Sequence, residues 1–171
     1  MSIADSLINF ARRSGAQAFA AEGGGVRLTW DMGHFFHHLW KENDQYCYGT
    51  SERSEPRIAT MLCPYEEIIE KWAIVAIGAE ARRHLGFAPI VIPSAPESAE
   101  PHWRFEQLSF LSGRLATEDG FIPMELRDTF PRHRNLTMLS HVIQMDADQL
   151  LSSYEAEDAH PLLSHLLPPA H

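Results

Sequence analysis

The chain has 171 residues, 44% of them apolar, with 14 basic against 23 acidic side chains and a net charge of -9. That length suits one domain with a real core, and the composition excludes disordered, collagenous and disulfide-stapled classes. No apolar run is long enough to span a bilayer, and residues 1–5 lack the basic-then-apolar pattern of a secretory leader, so a cytoplasmic protein is expected.

Residues 4–14 read as a first helix: Leu7, Ile8 and Ala11 form an apolar stripe, Arg12 and Arg13 close the last turn, and Gly15 stops it. Short β-like runs follow. Segments 16–22 and 26–30 flank Gly23-Gly24-Gly25, and segments 34–41 and 45–50 flank Asn43-Asp44, both turn signals. Cys63-Pro64 opens the longest helix, 65–85, with proline at the first helical position and Glu66, Glu67 and Glu70 opposing the positive end of the dipole. Ile69, Trp72, Ala73, Ala76 and Ile77 recur at helical spacing, Arg82, Arg83 and His84 sit near the exit, and Gly86 ends it. Segment 87–101 holds Pro89, Pro93, Pro96 and Pro101 and reads as an extended crossover. Segments 103–111 and 114–117 form a hairpin around Ser112-Gly113, and 121–126 is an edge strand because of Pro123. Two short helices, 136–143 and 148–154, join across Met145-Asp146, and 164–171 reads as a flexible tail. The expected architecture is α+β in one domain, 1–171: an antiparallel sheet of hairpins, one long helix packed across it, and a C-terminal helical pair.

Catalytic signatures are sparse. Cys47 and Cys63 form no CxxC and suit reduced, packed thiols. His34, His37 and His38 would share a face on a helix, but on a strand only His34 and His38 do. No HExxH or acidic partner supports a metal there, so packed or interface imidazoles are the better reading, with a small metal-dependent enzyme as the alternative. The adjacent carboxylates Glu66-Glu67, Glu118-Asp119 and Glu157-Asp158 do not demonstrate convergence, and GxSxG, GxGxxG and GxxxxGK[ST] are absent. Segment 136–154 loosely resembles a helix-turn-helix, the basis of a second alternative, a regulator; its second helix nevertheless lacks the basic residues that phosphates need.

What remains is charge and aromaticity. After Arg134 there is no Lys or Arg, while Asp146, Asp148, Glu155, Glu157 and Asp158 follow, a pattern that repels nucleic acid and favours a basic protein partner. Aromatic residues crowd the two hairpins beside acidic ones, the usual make-up of a contact patch. Trp30, Asp31, Phe35, His37, Trp40, Glu42 and Asp44 are the candidate partner contacts.

Taken in order, these features resemble the immunity proteins that neutralise tuberculosis-necrotizing-toxin-type domains, over about residues 4–163. The resemblance is carried by Leu7, Ser14-Gly15, Trp30, the strand 46–50 with Ser51 and Arg53, Ile69-Glu70-Lys71, Gly78 and Arg82. It continues through Pro93, Gly113-Arg114, Leu139-Ser140-His141, Ser153-Tyr154 and Pro161-Leu162. It implies a cytoplasmic bacterial antitoxin of a polymorphic toxin system, with no turnover and no cofactor or metal of its own. Such a protein covers the NAD-binding cleft of a secreted NAD glycohydrolase toxin domain, and binds neither nucleic acid nor membrane.

Overall fold

A computed structural model describes residues 3–21, 24–53 and 55–169. The architecture is α+β: eight antiparallel strands form one sheet, crossed by a long helix, with a C-terminal helical pair. Helix α1 (Ile3–Arg13) leads into β1 (Gln17–Ala20), β2 (Val26–Thr29), β3 (Phe35–Glu42), β4 (Gln45–Glu52) and β5 (Ile58–Cys63). Helix α2 (Glu66–Leu85) and the proline-rich crossover then carry the chain to β6 (Arg104–Ser109), β7 (Ser112–Ala116) and β8 (Glu125–Arg127). Helices α3 (Arg134–Val142) and α4 (Ala147–Glu155) follow. The strand order is β1-β2-β3-β4-β5-β8-β7-β6, so β8 joins two meanders into one surface.

Asn43 and Asp44 take φ values of 48° and 59°, the paired positive dihedrals that let a two-residue turn match the twist of β3 and β4. At the first hairpin, Glu22 and Gly23 lie outside the described residues. Four sequence expectations are corrected. Strand β5 was not anticipated: Pro56 and the charged run before it mask a half-buried strand whose period is broken by a register shift opposite Tyr48/Gly49. Pro64 does not open α2, because Tyr65 is the extended N-cap and the helix starts at Glu66. The β6–β7 turn is Phe110-Leu111, since Ser109 pairs with Ser112. Gly113 instead allows close approach: a Cβ there would meet Phe130 Cζ at 2.7 Å and Glu106 O at 2.8 Å. Finally, β8 is an interior strand, pairing β5 and β7, and Pro123 lies before it.

One core lies between the sheet and the helices. Leu28, Tyr48, Met61, Cys63, Leu115 and Leu126 meet Leu7 and Phe10 of α1, Trp72, Ile74 and Ile77 of α2, Leu136 and Leu139 of α3, and Leu150 and Tyr154 of α4. Gly78 is where α2 and α4 touch, with Tyr154 Cδ1 only 2.6 Å from where a Cβ would stand. Two cations on α2, eleven residues and three helical turns apart, bind the neighbouring helix ends. Lys71 Nζ donates to Ile143 O at the end of α3 (2.9 Å) and pairs with Glu67. Fully buried Arg82 donates to Ser153 O, Tyr154 O, Ala156 O and Glu157 O at the end of α4, and to Ala88 O of the crossover. Within the segment expected to be a flexible tail, residues Ser164–Leu166 form a 3-10 turn, and Val91 N donates to Leu166 O (3.0 Å).

Truncating Arg82 strands several buried carbonyls at about 1–3 kcal/mol each, so Arg82→Leu should lower the unfolding free energy in urea by more than about 3 kcal/mol. Gly78→Ala gains helix propensity but overpacks Tyr154, for a net loss of roughly 1–2 kcal/mol. A Gly78→Ala protein as stable as the parent would contradict the contact described.

Candidate functional site

In an antiparallel sheet alternate connections share an end. The β2–β3, β4–β5 and β6–β7 connections and the exit of β8 therefore gather along one rim of the sheet. This rim carries apolar side chains that no core needs. Met32 is 90% exposed and Phe110 72% exposed, and Phe35, Ile58 and Leu111 are also exposed. Asp31, Glu52, Arg53 and Glu55 stand among them, all exposed.

The turn bearing Met32 is held rigidly. Asp31 Oδ1 accepts from Phe35 N (3.0 Å), His34 N (3.0 Å) and Thr29 Oγ1 (2.8 Å). The hydrogen bonds from Phe35 and Thr29 pull its carboxyl below the usual range, so Asp31 is a fixed anion. Trp30 secures the turn from beneath: its Nε1 donates to Ser14 Oγ (2.9 Å) at the end of α1, and its ring stacks on His84 near the end of α2 (centroids 5.7 Å). A second tether holds the other side of the rim, where Asp128 N donates to Leu111 O (2.9 Å).

The seven residues selected from sequence do not form one patch. Asp31 and Phe35 reach the rim, with Trp30 supporting them. His37 is buried on the helix side of β3, where its Nδ1 lies 2.7 Å from Tyr48 Oη and its ring meets Trp30 and Phe35 edge-on. Trp40 is buried on the opposite face of the sheet beneath Arg57 (4.4 Å to the ring centroid) and donates from Nε1 to Glu42 Oε2 (3.1 Å). Glu42 and Asp44 lie at the far end of β3, about 20 Å from Phe35 at the rise of an extended strand. Sequence reading missed Met32 and Phe110. The turn around Met32 and Gly33 offered a signal in its Asp-x-Gly chemistry, whereas Phe110 was hidden by placing the hairpin turn two residues late.

The histidines do not converge either. His38 points to the face opposite His37 and its Nε2 lies 2.8 Å from Ser51 Oγ, while His34 sits exposed before β3. No group of three potential metal ligands comes together among the described residues. Both cysteines are free and buried, with thiols whose pKa burial raises. An apolar hollow of about 300 Å³ opens at the other end of the sheet, between Leu7, Val26, Leu39 and Ile69. Glu70 at its margin accepts from Ala4 N (3.2 Å), and burial followed by Glu66 raises its pKa. Its lining also includes Lys41, Cys47 and Glu66, and the Cys47 thiol donates to Gln45 O (3.6 Å).

The class of protein is that of an immunity protein, shown by a family match over most of the chain; no described helix is long and apolar enough to cross a membrane. The chain belongs to the Immunity protein 61 family, whose model matches residues 10–162. Among solved structures it is similar to Rv3902c from M. tuberculosis, with a TM-score of 0.74 and 18% identity. That match covers 92% of this chain and 91% of the other, and at this identity it speaks for the fold. Comparison with curated proteins returns no match.

Burial pushes the His37 pKa down to about 4, from an ordinary value near 6.5. Between those values the unfolded chain binds a proton that the folded chain does not, so stability is full above pH 6.5 and falls as pH drops toward 4. The urea midpoint should fall accordingly, by a free energy on the order of 3 kcal/mol across that window. His37→Gln should flatten the profile; an unchanged slope in that variant would place the titration elsewhere.

Proposed function

We propose that this protein is a cytoplasmic bacterial antitoxin that binds a cognate secreted toxin domain and occludes its active site, with no turnover of its own. The observation that carries the reading is the family match over most of the chain, which makes a toxin the partner. The finer assignment, an NAD glycohydrolase of the tuberculosis-necrotizing-toxin type, rests on the ordered residues of the sequence resemblance.

The rim supplies a physical means. Met32 and Phe35 project from a turn whose backbone Asp31 locks and whose base Trp30 ties to two helices, so little ordering entropy is lost on contact. A cleft that binds the pyrophosphate of NAD must be electropositive, and Asp31, Glu52 and Glu55 offer it anions around an apolar centre. The net charge of -9 speeds encounter with such a partner at low salt.

The test is co-purification with a secreted NAD glycohydrolase toxin domain of the tuberculosis-necrotizing-toxin type, followed by its NAD hydrolysis in the mixture. Stoichiometric protein should abolish hydrolysis. Met32→Asp, at a positive φ that Asp tolerates, should weaken binding about tenfold or more while leaving the thermal midpoint unchanged. Complex formation without loss of hydrolysis would overturn occlusion, and unaltered binding by the variant would overturn the rim as the contact.

A further inference from the structure

Most cations in this acidic protein have partners. Arg13, Arg83, Arg104 and Arg114 pair with Glu155, Glu80, Glu118 and Glu106, and Lys71 pairs with Glu67. Arg82 binds carbonyls, while Arg27 and Arg57 lie over aromatic rings. Arg12, Arg53, Arg127, Arg132 and Arg134 have no such partner among the described residues, and the last three differ from the first two in lying together. All three are exposed, none makes an ion pair or a guanidinium hydrogen bond among the described residues, and all three line one cleft of about 390 Å³ between the end of β8 and the start of α3.

The local backbone adds to the positive potential. Helix α3 opens with Arg134 and has no acidic residue in its first turn, the reverse of the preference for anions where the dipole is positive. His133 contributes no side-chain cap. The one carboxylate in the cleft, Asp128, uses both oxygens on backbone donors, Thr129 N and Leu136 N (2.8 Å each). Three exposed arginines and a helix start therefore line a cleft whose one carboxylate is already used on backbone donors.

The shape of the cluster selects the ligand class. Its cations are confined to residues 127–134, with Glu125 before them and no Lys or Arg after them. An extended polyanion would meet repulsion on leaving the cleft. A compact group with two or more charges on adjacent oxygens suits a cleft lined by three arginines. We propose that the cleft between β8 and α3, lined by Arg127, Arg132 and Arg134, is a binding site for a phosphate-bearing small molecule. Leu111 and Met138 in the same cleft provide apolar surface for the rest of such a ligand.

Isothermal titration and amide chemical-shift mapping with orthophosphate and with ADP, at ionic strength fixed with chloride, test the site. Saturable binding with shifts confined to about residues 127–138 is expected, at least tenfold weaker in the double variant Arg132→Gln/Arg134→Gln. The exposed Arg104→Gln protein should bind as the parent does, and equal thermal midpoints verify folding. Tighter binding of ADP than of orthophosphate assigns the site to a nucleotide, and equal binding assigns it to the free anion; both support it. No saturable binding, undiminished binding by the double variant, or tighter binding of a hexaglutamate peptide than of either probe would overturn it.

Discussion

Two cations on one face of α2 organise the helical layer. Lys71 receives the carbonyl end of α3 and Arg82 that of α4, where unsatisfied acceptors and the negative end of each dipole gather. Placing a guanidinium in the core is costly unless its donors are matched. Arg82 meets that condition with backbone carbonyls from the end of α4 and the residues just after it, and from the start of the crossover, so one side chain ties α2 to both stretches. The contact of Gly78 with Tyr154 lets α2 and α4 come close enough for this.

The same geometry explains why individually weak residues define a family when taken in order. Several are partners in space: Trp30 with Ser14, Gly78 with Tyr154, and Arg82 with Ser153 and Tyr154. Others close the C-terminal region, as when Ser140 Oγ accepts from Glu100 N and Ser153 Oγ accepts from Leu162 N. These contacts preserve a scaffold. Met32 and Phe110 take no part in them and stand exposed outside the core.

Long-period features were legible in the chain: α1, α2, the helical pair and the Asn43-Asp44 hairpin follow from apolar spacing and turn chemistry. Strand β5 was not, because pairing between β4 and β8 stabilises a segment whose own pattern is irregular. The β6–β7 turn was misplaced because Gly113 serves a tertiary contact with Phe130, which local sequence does not encode. The candidate contacts were legible as residue types but not as a surface. Alternation along β3 sends His37 and Trp40 to opposite faces, and strand length separates Phe35 from Asp44. Exposure of Met32 and the gathering of three arginines around one cleft depend on contacts that local sequence does not show.

The proposal is that the sheet rim, carried by the helical layer, plugs the pocket of an NAD-cleaving toxin domain. Hydrogen–deuterium exchange of the protein with and without that domain tests this most directly. Slowed exchange concentrated in residues 30–35 and 108–112, with the outer surfaces of α1 and α4 unchanged, is the predicted result. Protection confined to the helical layer, with the rim exchanging as in the free protein, would contradict it.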